Sequence, residues 1–291
     1  MINVLILGSS GLLGKQLYQK LKYEKNLKLY HNGIVKKKLD LSKKNQLRKI
    51  IYNSKPNLVI NCTGLTNLEK CENFSSISKK INVDILDNIF DIKKKNNLKF
   101  KFIHFSTDNF YNKKKNKKSN EKSKIYMMNK YCIHKRMAEK ICLRNKSLIF
   151  RTNFFGKSNT KNKSFSDWVY YSFRKNFFFY LFDDVCFNPL RIKTITKIIT
   201  IIINKKMYCY SGIYNLGSKN GIYKNNFAIY FAKKLKIYKK NYINISVNKL
   251  LNVRRSNNML MNIKKFQNKF KIELPKIETE ITNECKENYN K

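Results

Sequence analysis

The chain of 291 residues predicts a doubly wound α/β fold: a parallel sheet covered on both faces by helices, followed by a smaller C-terminal part. Two observations carry this. Short apolar runs alternate with stretches of helical period through the first half of the chain, the rhythm of strand–helix–strand units. Three of the nine glycines fall in one window, GSSGLLG (8–14), directly behind the apolar run VLIL (4–7). A glycine-rich turn between a first strand and a first helix is the signature of the Rossmann arrangement.

The elements follow in order. VLIL (4–7) predicts a short buried strand. Leu13, Leu17 and Leu21 recur every four residues, one stripe of a helix. LKLY (27–30) predicts a second strand, and NQLRKIIYN (45–53) a helix with Ser42 as its N-cap. NLVINCTG (57–64) is a third strand, and Ile81, Ile85, Ile89 and Ile92 mark a long helix. FKFIHFS (100–106) is a strand, 128–144 a helix and SLIFR (147–151) another strand. After Arg151 the rhythm loosens: a helix at 164–174, an aromatic run at 177–182, a helix at 191–204 and a strand at 212–218. YNKKKNKKSNEKSK (111–124) is a polar loop open to movement, and the tail from about 235 shows no chemistry of its own.

Composition excludes several classes. No apolar run reaches the ~18 residues a membrane span needs; the longest, TITKIITIIIN (194–204), is shorter and carries Lys197. The N-terminus lacks the basic leader of a signal peptide. Seven cysteines are scattered without a Cys-x-x-Cys pair, which argues against zinc and disulfides and suits a reducing cytoplasm. No metal is expected. Sixty-two Lys and Arg against 18 Asp and Glu give a net charge of +44. The lysines are spread through nearly every polar segment rather than gathered into blocks with stacking aromatics, so specific nucleic-acid binding is not expected. A basic surface still draws in anionic ligands, less so at high salt.

In GSSGLLG, Gly8 permits the tight turn, Gly11 lets the backbone approach a pyrophosphate, and Gly14 lets the helix pack closely on the sheet. The helix N-terminal amides then face negative charge. The loop therefore predicts a dinucleotide site formed by Gly8, Ser10, Gly11, Leu12, Leu13 and Gly14. At the end of the second strand stand Tyr30, His31 and Asn32, then Lys36, Lys37 and Lys38, with no acid before Asp40. An acid there would grip the ribose of NAD; a cationic neighbourhood favours the extra phosphate of NADP(H), with NAD(H) as the alternative.

The chemistry is expected further on. Ser106–Thr107–Asp108 follows a strand, and Tyr131 and Lys135 sit at i and i+4 on a helix, on one face. A lysine ammonium beside a phenol lowers the tyrosine pKa, and a tyrosine so tuned exchanges a proton near neutral pH. Tyr-x-x-x-Lys alone means little in a chain with 18 tyrosines; its weight comes from its order after the glycine loop and the Ser-Thr-Asp strand end. His104, on the same strand, is assigned no role. Asn82 and Asp108 are candidates to orient the site or to cap the backbone locally, and Arg151 to meet a nucleotide phosphate or to form a surface ion pair. Trp168 and the aromatic run are expected to pack in the core or to form a platform.

Together these motifs resemble the extended short-chain dehydrogenase/reductase family, most closely its dTDP-4-dehydrorhamnose reductase branch with its RmlD-like relatives. The resemblance runs through GSSGLLG, LDLS (39–42), VINCTGLTNLEKCE (59–72), NVD (82–84), HFSTD (104–108), NKYCIHKRMAE (129–139), RTNFFG (151–156), FDDVCFNPL (182–190) and GIYNLGS (212–218). It implies Thr107, Tyr131 and Lys135 as catalytic groups. It implies cofactor contacts at the glycine loop, Asp40, Leu41, Cys62, Thr63, Gly64, Tyr131 and Lys135, and substrate contacts at Asp108, Asn109 and Arg151. Residues 1–155 become an NAD(P)-binding domain, and 156–291 a smaller substrate-binding part interleaved with the last sheet elements. The partner is a nucleotide sugar; a homodimer is left open, and no membrane is involved. Asn109 stands where the family usually has Tyr, Cys132 where it has Gly, and VRRSNN (253–258) lacks a usual Pro; these departures bear on which sugar is bound. A nucleotide-sugar epimerase or dehydratase, and a non-catalytic subunit like the beta subunit of methionine adenosyltransferase, are the rival readings.

Overall fold

The computed structural model describes residues 1–32, 39–112, 117–158 and 163–289. Lys36, Lys37 and Lys38, and the centre of the loop at 111–124, lie outside the described residues. The chain divides into two compact units, the first formed by 1–107, 129–151 and 196–214, the second by 108–128, 152–195 and 215–291. The two units interleave along the chain: 108–128 and 152–155 lie with the second unit and 196–214 with the first.

In the first unit, β1 (Ile2–Leu7), α1 (Leu12–Leu21), β2 (Leu27–His31), α2 (Lys44–Ser54) and β3 (Leu58–Asn61) are followed by α3 (Leu68–Asn73) and α4 (Ser75–Lys79). Then come α5 (Ile85–Lys95), β4 (Lys101–Thr107), α6 (Lys130–Arg144) and β5 (Leu148–Thr152). The six-stranded sheet runs β2–β1–β3–β4–β5 and ends on the strand Gly212–Leu216. β1 pairs in parallel with both β2 and β3, and β3 with β4. The strand order reverses between β1 and β3, the switch point at which doubly wound sheets open a crevice at their carboxyl ends. Val4–Leu7 and Leu58–Ile60 are fully buried, as expected of strands covered on both faces. Leu5, Leu7, Val59 and Phe102 pack with Leu47, Ile51, Leu86 and Ile89 of the helices in one cluster.

Two local expectations are corrected. Ser42 does not cap α2: the N-cap is Lys43, without a side-chain bond, because Ser42 turns its hydroxyl and its N–H back to Asp40 Oδ1 at 2.7 and 3.0 Å. The long helix drawn through Ile81 to Ile92 is interrupted: Lys80–Asp84 form one wide π turn between α4 and α5. A single extra residue in a turn leaves the apolar stripe readable and the irregularity hidden.

The second unit has its own core, in which Phe155, Phe173, Phe187, Phe227, Phe231 and Ile281 are buried together. The helix α7 (Phe165–Arg174) starts in a full capping box between Ser164 and Asp167. Of the aromatic run, Leu181 is buried, while Phe177, Phe178 and Tyr180 are exposed; Trp168 stacks on Phe165 with ring centres 5.9 Å apart. The polar loop is tied at both described ends: Asn112 Oδ1 accepts from the Asn257 N–H at 3.0 Å, and the Ser119 N–H donates to the Leu260 carbonyl at 2.8 Å.

Candidate active site

The glycine loop is held by steric necessity. Gly8 has φ +78°, and a Cβ on it would lie 2.6 Å from the Cys62 carbonyl carbon. A Cβ on Gly14 would lie 2.3 Å from the Gly8 oxygen. Both are far inside contact distance, so only glycine fits. The same contact brings Cys62 and Thr63 against the loop, joined by the Cys62 N–H bond to the Leu7 carbonyl at 2.9 Å. α1 begins after Gly11 with no side-chain cap and no acid in its first turn, which leaves its first amides for an anion. Ser10 and Gly11 are exposed, Leu12 half-buried, and Leu13 and Gly14 buried. This cradle fits a pyrophosphate.

Asn32 was visible in the sequence but had no role. Its Oδ1 accepts from the Gly8 N–H at 2.8 Å and from the Ser9 N–H and hydroxyl at 3.3 and 3.4 Å, so it fixes the loop from the end of β2 without bringing a negative charge. Asp40 is exposed, and the Ser42 hydrogen bonds pull its carboxyl below the usual range. The Leu41 side chain belongs to the buried core. On the other side of Gly64, Asn82 on the π turn accepts from the Leu65 N–H at 3.1 Å and donates to its carbonyl at 3.1 Å. It also donates to the Ser78 hydroxyl, which meets His134 Nδ1 at 2.8 Å. Asn82 thus holds the backbone of the 64–65 turn.

Sheet register places Leu7, Asn61 and His104 in one row across β1, β3 and β4. Neighbours in register point to the same face, and Asn61 Nδ2 lies 3.1 Å from His104 Nδ1. Lys135 reaches this row from α6: its Nζ donates to the Phe105 carbonyl at 2.6 Å and lies 3.3 Å from His104 Nε2. Burial brings Lys135 down to about 8. α6 starts at an Asn129 cap that accepts from the Cys132 N–H at 2.9 Å, which sets the helix phase that carries Tyr131 and Lys135. Tyr131 is 7% exposed and Thr107 3%; the phenol is not turned into water. Thr107 ends β4, two residues after the carbonyl that holds Lys135.

Arg151 is corrected. It is fully buried, and its guanidinium grips Glu139 with two bonds of 2.7 Å, Nε to Oε1 and the terminal nitrogen to Oε2. Glu139 also accepts from the Ser106 hydroxyl at 2.7 Å and from Arg136 at 2.9 Å. Arg151 therefore locks β5 to α6 and supports β4 rather than meeting a phosphate. A partner twelve residues away on a helix left no periodic trace in the sequence.

In the second unit, Asp108 is buried and accepts from Asn153 at 2.9 Å and from Asn109 at 3.1 Å. Burial lifts its carboxyl to about 6. Lys224 lies over the rings of Phe165 and Phe187 at 5.7 and 5.8 Å. Burial and then Arg255 push it down to about 8, against the pull of Asp108 and Asp184. Nothing in the sequence marks Lys224, since a lysine carries little information in a chain this basic. Asp184 is occupied by Ser246, the Val247 N–H and Asn257.

Comparison with known proteins bears on this geometry. The family model described as RmlD substrate binding domain matches residues 2–290. No curated protein sequence matches the chain. Among solved structures, dTDP-4-dehydrorhamnose reductase from Bacillus anthracis, in complex with NADP, superposes with a TM-score of 0.87 at 19% identity, covering 99% of this chain and 100% of that one. An ortholog from Clostridium acetobutylicum gives 0.85 at 18%, over 97% and 98%. dTDP-glucose 4,6-dehydratase from Bacillus anthracis, in complex with NAD, gives 0.81 at 16%, over 98% and 96%. At these identities the neighbours establish the fold. Among the described residues no helix is long and apolar enough to cross a membrane.

Proposed function

Because the chain belongs to the family described by the RmlD substrate binding domain, we propose that it reduces the C4 keto group of a nucleotide-linked 6-deoxy sugar. The cofactor in this reading is NADPH, preferred over NADH, and the product serves surface polysaccharide. The observation that carries it is Lys135, held at the carboxyl end of β4 by the Phe105 carbonyl, with Tyr131 buried one helical turn before it. Gly8, Gly11, Gly14 and the 62–64 turn would hold the dinucleotide; bound there, it would supply a hydride. Asn32, standing where an acid would select NAD, offers no charge to repel the additional phosphate.

Tyr131 donates its phenolic proton to the oxygen that develops negative charge as the ketone is reduced. Lys135 as an ammonium stabilises the phenolate left behind. Thr107 donates to the same carbonyl oxygen and orients it. The test is NADPH oxidation against a panel of dTDP- and GDP-linked 4-keto-6-deoxy sugars. Tyr131→Phe is expected to lower turnover by about a hundredfold or more while leaving NADPH binding intact. An unchanged effect of the protein on its pathway in that variant favours a non-catalytic subunit.

A second reading, elimination of water from a nucleotide sugar, draws on Asp108, which follows Thr107 and whose carboxyl sits near 6. A protonated carboxyl at that place suits a general acid. Formation of a 4-keto-6-deoxy sugar from a nucleotide-linked hexose, with no net consumption of NADPH, would favour it over reduction.

A further inference from the structure

Side chains from β3, β4 and α6 form a buried chain whose hydrogens follow from one fixed donor. A backbone N–H can only donate, so the Thr63 N–H fixes the Asn61 atom it meets at 3.1 Å as the oxygen. The Thr63 hydroxyl donates to the same oxygen at 2.7 Å. The Asn61 amide nitrogen is then the atom that meets His104 Nδ1 at 3.1 Å, and Nδ1 must accept. A neutral imidazole with a bare Nδ1 carries its proton on Nε2. That Nε2–H faces Lys135 Nζ at 3.3 Å.

An ammonium has no lone pair, so a charged Lys135 would set N–H against N–H. A neutral amine satisfies both neighbours: it accepts from His104 and donates to the Phe105 carbonyl at 2.6 Å. A doubly protonated His104 gives no escape, because its Nδ1–H would meet the Asn61 amide hydrogens; burial also keeps its pKa well below the ordinary value. The other groups around Lys135 do not restore the cation. Burial raises the Cys62 and Cys142 thiols, which keeps them uncharged, and the Glu139 carboxylate is taken by Arg151 and Arg136.

We propose that dinucleotide binding takes up one proton at Lys135: His104, fixed as the Nε2–H form by Asn61 and Thr63, holds the amine neutral in the free protein, and the anionic cofactor recruits the proton. This rests on the reading of Lys135 as a cofactor-holding group. His104 becomes a positioning residue that acts through Lys135. Above about pH 8 the cation that activates Tyr131 is then assembled only once the dinucleotide is in place.

The experiment is calorimetric titration of the full chain with NADPH at about pH 8.5 in two buffers of different ionisation enthalpy, Tris and EPPS, with affinity followed from about pH 7 to 10. One group that binds a proton only in the complex gives net uptake of up to about one proton and an affinity that falls toward tenfold per pH unit above its free pKa. Two variants remove the constraint. Asn61→Asp accepts from an Nδ1–H and turns the imidazole round, so that Nε2 accepts from an ammonium. His104→Gln places an amide oxygen beside Nζ. Each is expected to abolish the uptake and flatten the affinity curve. NADPH binding without proton uptake in the parent protein, or uptake unchanged in either folded variant, overturns the inference and leaves the cofactor reading standing. Failure to bind NADPH at any pH overturns both.

Discussion

The helix α6 carries two buried ionic groups, and they are served in opposite ways. Glu139 meets the fully buried Arg151 through two short bonds and receives a further hydrogen bond from Ser106. Lys135, one turn earlier and also buried, has a carbonyl and an imidazole but, among the described residues, no carboxylate within bonding distance. A buried cation with a bidentate carboxylate stays charged and fixes structure; a buried cation without one can change its protonation state. In the proposed function, the difference separates a fastening from a working group on the same helix. Asp108 in the second unit is the acidic counterpart of Lys135: buried, served by the Asn153 and Asn109 amides, and raised to about 6.

The largest effect is expected at the fastening. Glu139→Gln leaves the Arg151 guanidinium buried beside a neutral amide, and loss of one partner of such a pair costs about 3–5 kcal/mol. Chemical denaturation should show that loss, while a variant within about 1 kcal/mol of the parent would dissolve the contrast. The next effect is at Asp108. Its folded carboxyl is raised above the unfolded value, so its contribution to stability is present below the unfolded pKa and lost as pH rises through about 6. Asp108→Asn should therefore gain on the parent protein between pH 4 and 8, by up to about 3 kcal/mol. A stability difference that does not change over that range would mean the carboxyl is not raised. The smallest change in stability is expected at Lys135. Lys135→Met removes a costly buried amine but strands the His104 N–H, two terms of about 1–3 kcal/mol and opposite sign. Its denaturation midpoint should stay close to the parent's, while turnover is lost. A collapse like that of Glu139→Gln would make Lys135 a structural group after all.

Much of the first unit was legible because its signals are periodic or steric. Strands buried on both faces leave unbroken apolar runs, and helices leave stripes such as Leu13, Leu17 and Leu21. Gly8 and Gly14 were readable because no other residue fits where the loop passes β3 and itself. What stayed hidden is pairwise and non-periodic. Nothing in the chain marks Glu139 as the partner of Arg151, twelve residues away. Asn32, Asn61 and His104 looked like ordinary polar residues, and only strand register brings Asn61 and His104 into one row. Tyr131 and Lys135 share a helix face readable from their spacing, but the contacts of Lys135 with Phe105 and His104 come from another element and left no mark on the sequence.

The π turn at Lys80–Asp84 shows how little separates a fastened edge from a loose one. Each residue of an α-helix advances the phase by about 100°. Deleting one residue there would let α4 run smoothly into α5, yet swing Asn82 away from Leu65, both of whose backbone groups it now holds. A lineage could lose the grip on the 64–65 turn through a single codon deletion, with every residue of the glycine loop, β3 and β4 left untouched.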